Sequence, residues 1–434
     1  MGQLDSGNAA WILTSASLVF LMTPGVAFFY GGMVRAKAVL NMMIMEAAAL
    51  SVTMVIWVLW GWSIAYAGTS VGGVFGDPAT GFLLKDSMVS DGGVFTSASL
   101  NSNNYPVSVD VAFQSAFAMI TVALICGAIA ERVKYSTWMI FVALWITFDY
   151  APLAHMVWNG GLLSADGAIS QAIGAAAHDF AGGTVVHINA AVAALVIVLI
   201  IGKRKGFGMM SYRPHNVPFV ALGATLLWFG WFGFNAGSEF VADGVAGLAL
   251  INTVVASGAA LVSWMIVERV KVGKPTLVGA ATGLVAGLVV ITPAAGFVEP
   301  WAAIIMGLIV SPICYFAISF CKAKIGYDDA LDAFGCHAVG GVVGGICTGI
   351  FCVPELSWTD FGGLLYTGDV SLLCSQIAGI AITIVFVGIL DVVLAFIVKA
   401  CFKGSLRVSE EKEAQGLDIA AHGESAYPAY IGLD

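Results

Sequence analysis

The run Asp179-Phe-Ala-Gly-Gly-Thr-Val-Val-His187-Ile-Asn-Ala190 opens an apolar segment that continues through Ile201. It sets a carboxylate at the head of a membrane-length helix and a histidine eight residues on, inside it. An ionisable side chain within such a segment is expensive to bury and marks a functional position by default. A second histidine, His337, stands in a similar late segment behind Asp332. Two buried histidines on two helices point to a pathway for something small that exchanges protons.

The rest of the chain fits a membrane setting. Of its 434 residues, 59% are hydrophobic and only 10% charged, with a mean hydropathy of +0.92. A soluble domain carries about 25% charged residues, so this is an all-α polytopic membrane protein. The net charge of -9 and the lack of a basic patch exclude a nucleic-acid binder. The 52 glycines suit close helix–helix packing in lipid. The eight cysteines show no CxxC spacing, and most lie in apolar runs as small buried side chains. Cys352 and Cys374 flank one loop and leave a disulfide open. No phosphate loop and no hydrolase, kinase or dehydrogenase motif occurs, so neither an enzyme nor a cofactor is expected.

Apolar stretches long enough to cross a bilayer fall at 9–31, 42–66, 110–130, 136–155, 183–202, 217–238, 245–267, 276–293, 300–320, 331–352 and 371–400. The first has an acidic amino end and too long an apolar run for a signal peptide, and its Pro24-Gly25 pair predicts a kink or break. Lys and Arg follow the odd-numbered spans: Arg35 and Lys37, Arg132 and Lys134, Lys203 to Lys205, and onward to Lys403, Arg407 and Lys412. Only Lys85 lies opposite. This bias predicts an external amino terminus and a cytoplasmic carboxyl tail. The outer loops carry Asp5, Asp77, Asp86, Asp91, Asp166, Glu239, Asp243, Glu299, Glu355, Asp360 and Asp369. Such a face attracts cations to the mouth, or is a plain solvated surface.

An odd number of spans permits an inverted repeat. Residues 9–202 would form one half, 217–352 the other, and 371–402 a leftover eleventh helix. Together, 1–402 make the transmembrane domain and 403–434 a tail. The fifth and tenth spans become counterparts, with Asp179 and His187 in one and Asp332 and His337 in the other. Repeats meeting at a midplane site are a common transporter plan. Gly279, Gly283 and Gly287, like Gly341, Gly345 and Gly349, fall at i, i+4, i+8 and predict close backbone packing.

A neutral imidazole offers one donor and one acceptor, so two in series can pass a proton or hold a small polar molecule. Packing histidines tied to backbone carbonyls are the bland alternative. No Cys or carboxylate stands at ligand spacing, which makes a poor metal site. Asp179 precedes His187 by about 12 Å of helix axis. It therefore caps the helix start, a role compatible with stabilising a cation just outside. Trp231 and Phe234 belong to an aromatic cluster ahead of Asn235-Ala-Gly-Ser238. Phe113 and Phe117 lie four apart on one face, and Trp158 follows His155-Met156. These are cation-attracting rings or an interfacial belt.

The pieces Asp179–Ala190, Gly230-Trp-Phe-Gly-Phe-Asn-Ala-Gly-Ser238, Ala154-His-Met-Val-Trp158, Asp332-Ala-Phe-Gly-Cys-His337 and the tail Gly416-Leu-Asp-Ile-Ala-Ala-His-Gly-Glu-Ser-Ala-Tyr427 resemble, in order and along essentially the whole chain, the ammonium transporter (Amt/Mep/Rh) family. Trp158 and Ser238 favour its Amt/Mep branch. The resemblance implies an outer recruitment site at Phe117, Trp158 and Ser238, backed by Asp179. It implies a stacked gate of Phe113 and Phe234, Trp231 lining the pore, and His187 and His337 as twin histidines. It further implies an eleven-helix protomer in a homotrimer, a multi-pass location in the cell membrane, ammonium or methylammonium as substrate, and a cytoplasmic PII-type regulator. An ammonium sensor with an occupied but weakly conducting pore is the runner-up. Ser405, Asp391 well inside the eleventh span and the residues after Tyr427 depart from the family pattern. Asp391 calls for a partner on a neighbouring helix.

Overall fold

Ten helical segments among the described residues are long and apolar enough to cross a bilayer. The computed structural model describes residues 3–85, 87, 89–91, 94–96, 100–209 and 212–427; Asp86, the Asp91 side chain and residues 428–434 lie outside them. The spans are α1 (Ser6–Met33), α2 (Val39–Gly61), α3 (Val107–Ile129), α4 (Tyr135–Trp158), α5 (Gly183–Ile201), α6 (Val217–Glu239) and α7 (Gly244–Lys271), then α9 (Pro300–Ile325), α10 (Phe334–Phe351) and α11 (Ser371–Cys401). Between α7 and α9 runs α8 (Leu277–Ile291), apolar but shorter. The chain is thus a multi-pass helical membrane protein.

The span expected over 276–293 is a helix of only 15 residues that ends in turns before Pro300. Nearly every residue from Gly279 to Ile291 is buried, so α8 is enclosed by protein, where a helix needs no lipid-matched length. Its glycines explain the enclosure. A Cβ on Gly283 would lie 2.4 Å from Trp264 Cβ, and one on Gly287 2.7 Å from the Ala256 carbonyl oxygen. α7 and α8 therefore touch backbone to backbone. The second glycine row, on α10, meets the start of α5 at Gly341 and α11 at Gly345 and Gly349.

α1 runs unbroken through Pro24, contrary to the break expected there. Membrane helices tolerate a proline where neighbours pack around it. Here Gly25 admits α6 so closely that a Cβ would lie 3.1 Å from Leu226 Cβ. Of the most apolar window, 94% is buried in α3 but 28% in α9 and 33% in α11. α3 is thus central, and the last two are peripheral.

The loops separate into two faces. The described residues of 62–106, with 159–182 and 352–370, lie on the acidic one. The loops after α1, α3, α5 and α9 and the tail lie on the basic one. At the basic face Asp328 is fully enclosed by two guanidinium groups. Arg204 Nη2 stands 2.7 Å from its Oδ1 and Arg132 Nη1 3.8 Å from its Oδ2. The tail crosses the same face as a strap. Lys134 N donates to Leu406 O, Val408 N to Arg132 O and Asp418 N to Lys37 O. Asn41 N donates to Asp418 Oδ1 (2.8 Å), and Arg407 pairs with the buried Glu413.

Cys352 and Cys374 are not bonded to each other. Asp391 does have a neighbour on another helix, but it is a second acid, Asp149 of α4. Asn189 lies beside Asp149 and Trp145 beside Asp391, so each acid has a neutral polar neighbour.

Candidate functional site

The chain enters α5 through a left-handed glycine. Gly182 has φ +111, a conformation costly for any residue with a Cβ. It turns the backbone so that successive N–H groups converge on one carboxylate. Asp179 Oδ1 accepts from Gly182 N (3.0 Å) and Gly183 N (2.6 Å). Its Oδ2 accepts from Thr184 N (2.9 Å), Thr184 Oγ1 (2.7 Å) and Val185 N (3.1 Å). Both oxygens are saturated by the helix start, so Asp179 fixes that start in place of touching anything in a pore. The first turn beyond it is wide, with i→i+5 bonding from Gly183 to Ile188, and it carries His187.

α10 repeats this plan, with one correction. The sequence paired Asp332 with His337, but Asp332 turns away. It has φ +62 and its Oδ1 meets Lys322 Nζ at 2.5 Å. The helix-start acid is Asp329, whose carboxylate accepts from Ala333 N (3.2 Å) and Phe334 N (2.8 Å). Asp329 stands eight residues before His337, as Asp179 stands eight before His187. That equal spacing was the available signal, and the nearer acid masked it. His337 also sits on a wide turn, Phe334–Ala338.

The two histidines meet edge to edge. His187 Nδ1 and His337 Nδ1 are 3.3 Å apart, with ring centroids 5.2 Å apart and planes 26° from parallel. One Nδ1 therefore carries a hydrogen and the other accepts it. His187 Nε2 is buried with no partner. Trp231 stacks on His187 at 5.3 Å and 21°, and its indole N–H donates to Thr292 Oγ1 (2.9 Å). Thr292, which sequence reasoning missed, holds that ring still. The histidine pair lines a constricted space of about 10 Å³, walled by Met22, Val26, Ile120, Leu124, Leu227 and Val285 among others. It is roughly the size of one water.

Towards the acidic face the rings of Phe117 and Phe234 stack at 4.2 Å and 17°. This corrects the expected gate, because Phe113 does not stack on Phe234. Phe113 is one turn nearer the acidic face on α3. There it meets Phe117 edge-on (4.9 Å, 63°) and Phe240 edge-on (5.8 Å, 83°). Four residues along α3 set the level, and only Phe117 is deep enough to face Phe234.

Above the stack opens a cavity of about 500 Å³ on the acidic face, lined by Phe113, Phe117, Trp158, Ser238, Phe180 and Trp358 among others. Trp158 stands perpendicular to Phe117 (6.4 Å, 88°), fixed by its Nε1 donating to Asp179 O (2.8 Å). Ser238 Oγ donates to Phe234 O (2.8 Å), which leaves its lone pairs free to accept. The structure thus brings Phe113, Phe117, Trp158 and Ser238 to one cavity and Phe234, Trp231, His187 and His337 to the next. Asp179 lies behind both.

Comparison with known proteins gives the family and the fold. The profile described as the Ammonium Transporter Family matches residues 10–427. The ammonium transporter of Mycobacterium tuberculosis is 46% identical over 442 residues, covering 98% of this chain and 91% of that protein. That of Aquifex aeolicus is 47% identical, covering 98% and 94%. Among solved structures, Saccharomyces cerevisiae Mep2 superposes with a TM-score of 0.81 at 31% identity, covering 94% of this chain and 91% of its own. A protein described as Sensor Amt Protein superposes with a TM-score of 0.84 at 27% identity, covering 96% and 98%.

Proposed function

Since this chain belongs to the ammonium transporter family, we propose that it recruits ammonium in the acidic-face cavity, removes a proton at the Phe117–Phe234 stack, and passes ammonia and the proton separately along His187 and His337. The contact that carries the reading is the 3.3 Å approach of the two Nδ1 atoms beneath the stacked phenyl rings. In the cavity, the faces of Phe117 and Trp158 attract a cation electrostatically and Ser238 Oγ accepts a hydrogen bond. Below the stack the space is narrow and apolar. Burying an ion there costs far more than burying neutral ammonia, so passage favours proton loss. Potassium cannot lose a proton and is rejected. The histidines offer a hydrogen-bonded track without a fixed charge.

The acidic face is external and the tail cytoplasmic in this reading, supported by the bias of Lys and Arg to one set of loops. The membrane domain spans 1–402, with α1–α5 and α6–α10 as inverted halves and α11 beside them. The equal Asp-to-His spacing in α5 and α10 supports the repeat. The setting is the cell membrane. A homotrimer and a PII-type regulator on the basic face are carried over from the family. The likeness to a sensor protein supports one alternative: a pore that binds ammonium, conducts little and signals through the tail strap.

The deciding experiment reconstitutes the purified chain in liposomes on a solid-supported membrane and applies ammonium pulses against sodium and potassium. Transport gives a slowly decaying current with ammonium alone that scales with protein density. A brief transient independent of protein density supports the sensor. His187→Ala is expected to abolish the ammonium current. A variant that keeps the current and still excludes potassium would remove the histidine route from the mechanism.

A further inference from the structure

The cavity-facing stripe of α3 begins one turn above the residues already placed. Asp110, Phe113, Gln114 and Phe117 fall at i, i+3, i+4 and i+7, one face of a helix, and all four line the 500 Å³ cavity. Asp110 stands about 10 Å along the axis from Phe117, on the approach to it. Its Oδ1 is buried, and the neutral Gln114 amide lies beside the carboxyl without balancing its charge. Tyr105, whose ring is fully buried, lines the same cavity within the electrostatic reach of Asp110, with Asn101 beside its hydroxyl. On the other flank Tyr66 donates its hydroxyl hydrogen to Gln114 Oε1 (2.9 Å), which leaves the Tyr66 oxygen free to accept. Among the described residues no lysine or arginine lines this cavity. The Asp110 carboxylate is thus without a basic partner in a partly desolvated recess. A carboxylate in that position is electrostatically incomplete, and the group that completes it has to enter from the aqueous mouth. The oxygens on offer are a carboxylate and two phenols, which suit a small monovalent cation that donates hydrogens.

The geometry points to a second, outer cation subsite centred on Asp110, which takes ammonium by charge-assisted hydrogen bonding before handing it to the Phe117–Trp158–Ser238 cage. Its role as a staging point rests on the transport reading; its existence as a binding site does not. Two measurements on the full chain keep these apart. One is the rise in thermal midpoint of purified protein on titrating ammonium chloride, with sodium chloride as control, since a ligand that binds the folded state raises stability by mass action. The other is the ammonium dependence of the liposome current.

Asp110→Asn is expected to raise the half-saturating ammonium concentration about tenfold in both, the loss of one charge-assisted hydrogen bond. The maximal current stays near the parent's. Asp110→Glu restores saturation to within about threefold. Asp360→Asn, an exposed acid of the same face outside the cavity, leaves it unchanged. Should Asp110→Asn not fold, Tyr105→Phe reads the same shift by removing only the hydroxyl. Saturation of Asp110→Asn at the parent's concentration overturns the subsite. So does an equal shift in Asp360→Asn, which would mean a diffuse field only. Absence of current in the parent counts against transport, while the thermal titration still decides the subsite.

Discussion

Replacing Asp179 with alanine tests how the site is held. The carboxylate accepts four backbone N–H groups and one hydroxyl, at 2.6 to 3.1 Å, and is 2% exposed. Alanine leaves those four N–H groups in a dry interior. Each unsatisfied buried donor costs about 1–3 kcal/mol, so about 4 kcal/mol is the expected minimum loss, well above the roughly 1 kcal/mol of an exposed helix cap. Asparagine keeps one acceptor oxygen and turns an NH₂ group against the remaining donors. It should lose about half as much, on the same per-bond basis. Unfolding free energies in mixed micelles would measure both. Because the Asp179 carbonyl also anchors Trp158 and its side chain sets the turn that carries His187, ammonium current should fall with stability in the order Asn, then Ala. If the alanine variant unfolded within about 1 kcal/mol of the parent, the cost assigned to unsatisfied donors would not apply and the carboxylate would not be what fixes the helix start.

Asp329 and Asp332 should separate in the same assay. Asp329→Ala removes the acceptor of two N–H groups and should cost about 2–3 kcal/mol. Asp332→Asn tolerates the left-handed backbone and gives up only a partly exposed pairing with Lys322, for about 1 kcal/mol or less; the reverse order would restore Asp332 as the structural counterpart of Asp179. Acid should loosen the basic face through Asp328. Burial pushes its carboxyl up, but the hydrogen bonds and charges of Arg204 and Arg132 outweigh this and hold it below its ordinary 3.8. A depressed carboxyl contributes stability that is complete above its unfolded value and is lost as pH falls through the folded one. The parent should therefore lose stability below about pH 4 more steeply than Asp328→Asn, and parallel pH curves would contradict this.

Much of this was legible beforehand. The spans could be read because lipid demands runs of apolar side chains, and the helix starts came within a few residues of their expected places. α8 read long because composition does not distinguish burial in lipid from burial in protein. The histidine contact followed from two ionisable residues in apolar helices, but its donor pair, Nδ1 to Nδ1, depends on ring rotation that no sequence encodes. The gate was misread for a related reason. Phe113 and Phe117 share a face, and which of them lies level with Phe234 is set by how far α3 is inserted relative to α6. Asp332 displaced Asp329 because proximity in sequence is not proximity to a helix start when a positive-φ residue intervenes. Trp231's hold on Thr292 depends on α8; Pro293 and Gly296 mark the turn after Ile291, but nothing in the sequence says which aromatic ring meets Thr292.

The tail strap has a consequence in time. Asp418 reaches Asn41 across 377 residues, and Glu413 receives Lys205 N at 2.6 Å across 208. These bonds join a late part of the chain to loops made well before it. Until the tail through residue 427 is made, the loops after α1, α3 and α5 keep their backbone groups hydrated and unlatched. Such late, distant closures are slow to form. The basic face is therefore the last part of this protein to set, and a chain cut short before Leu406 would insert its helices yet leave that face permanently open.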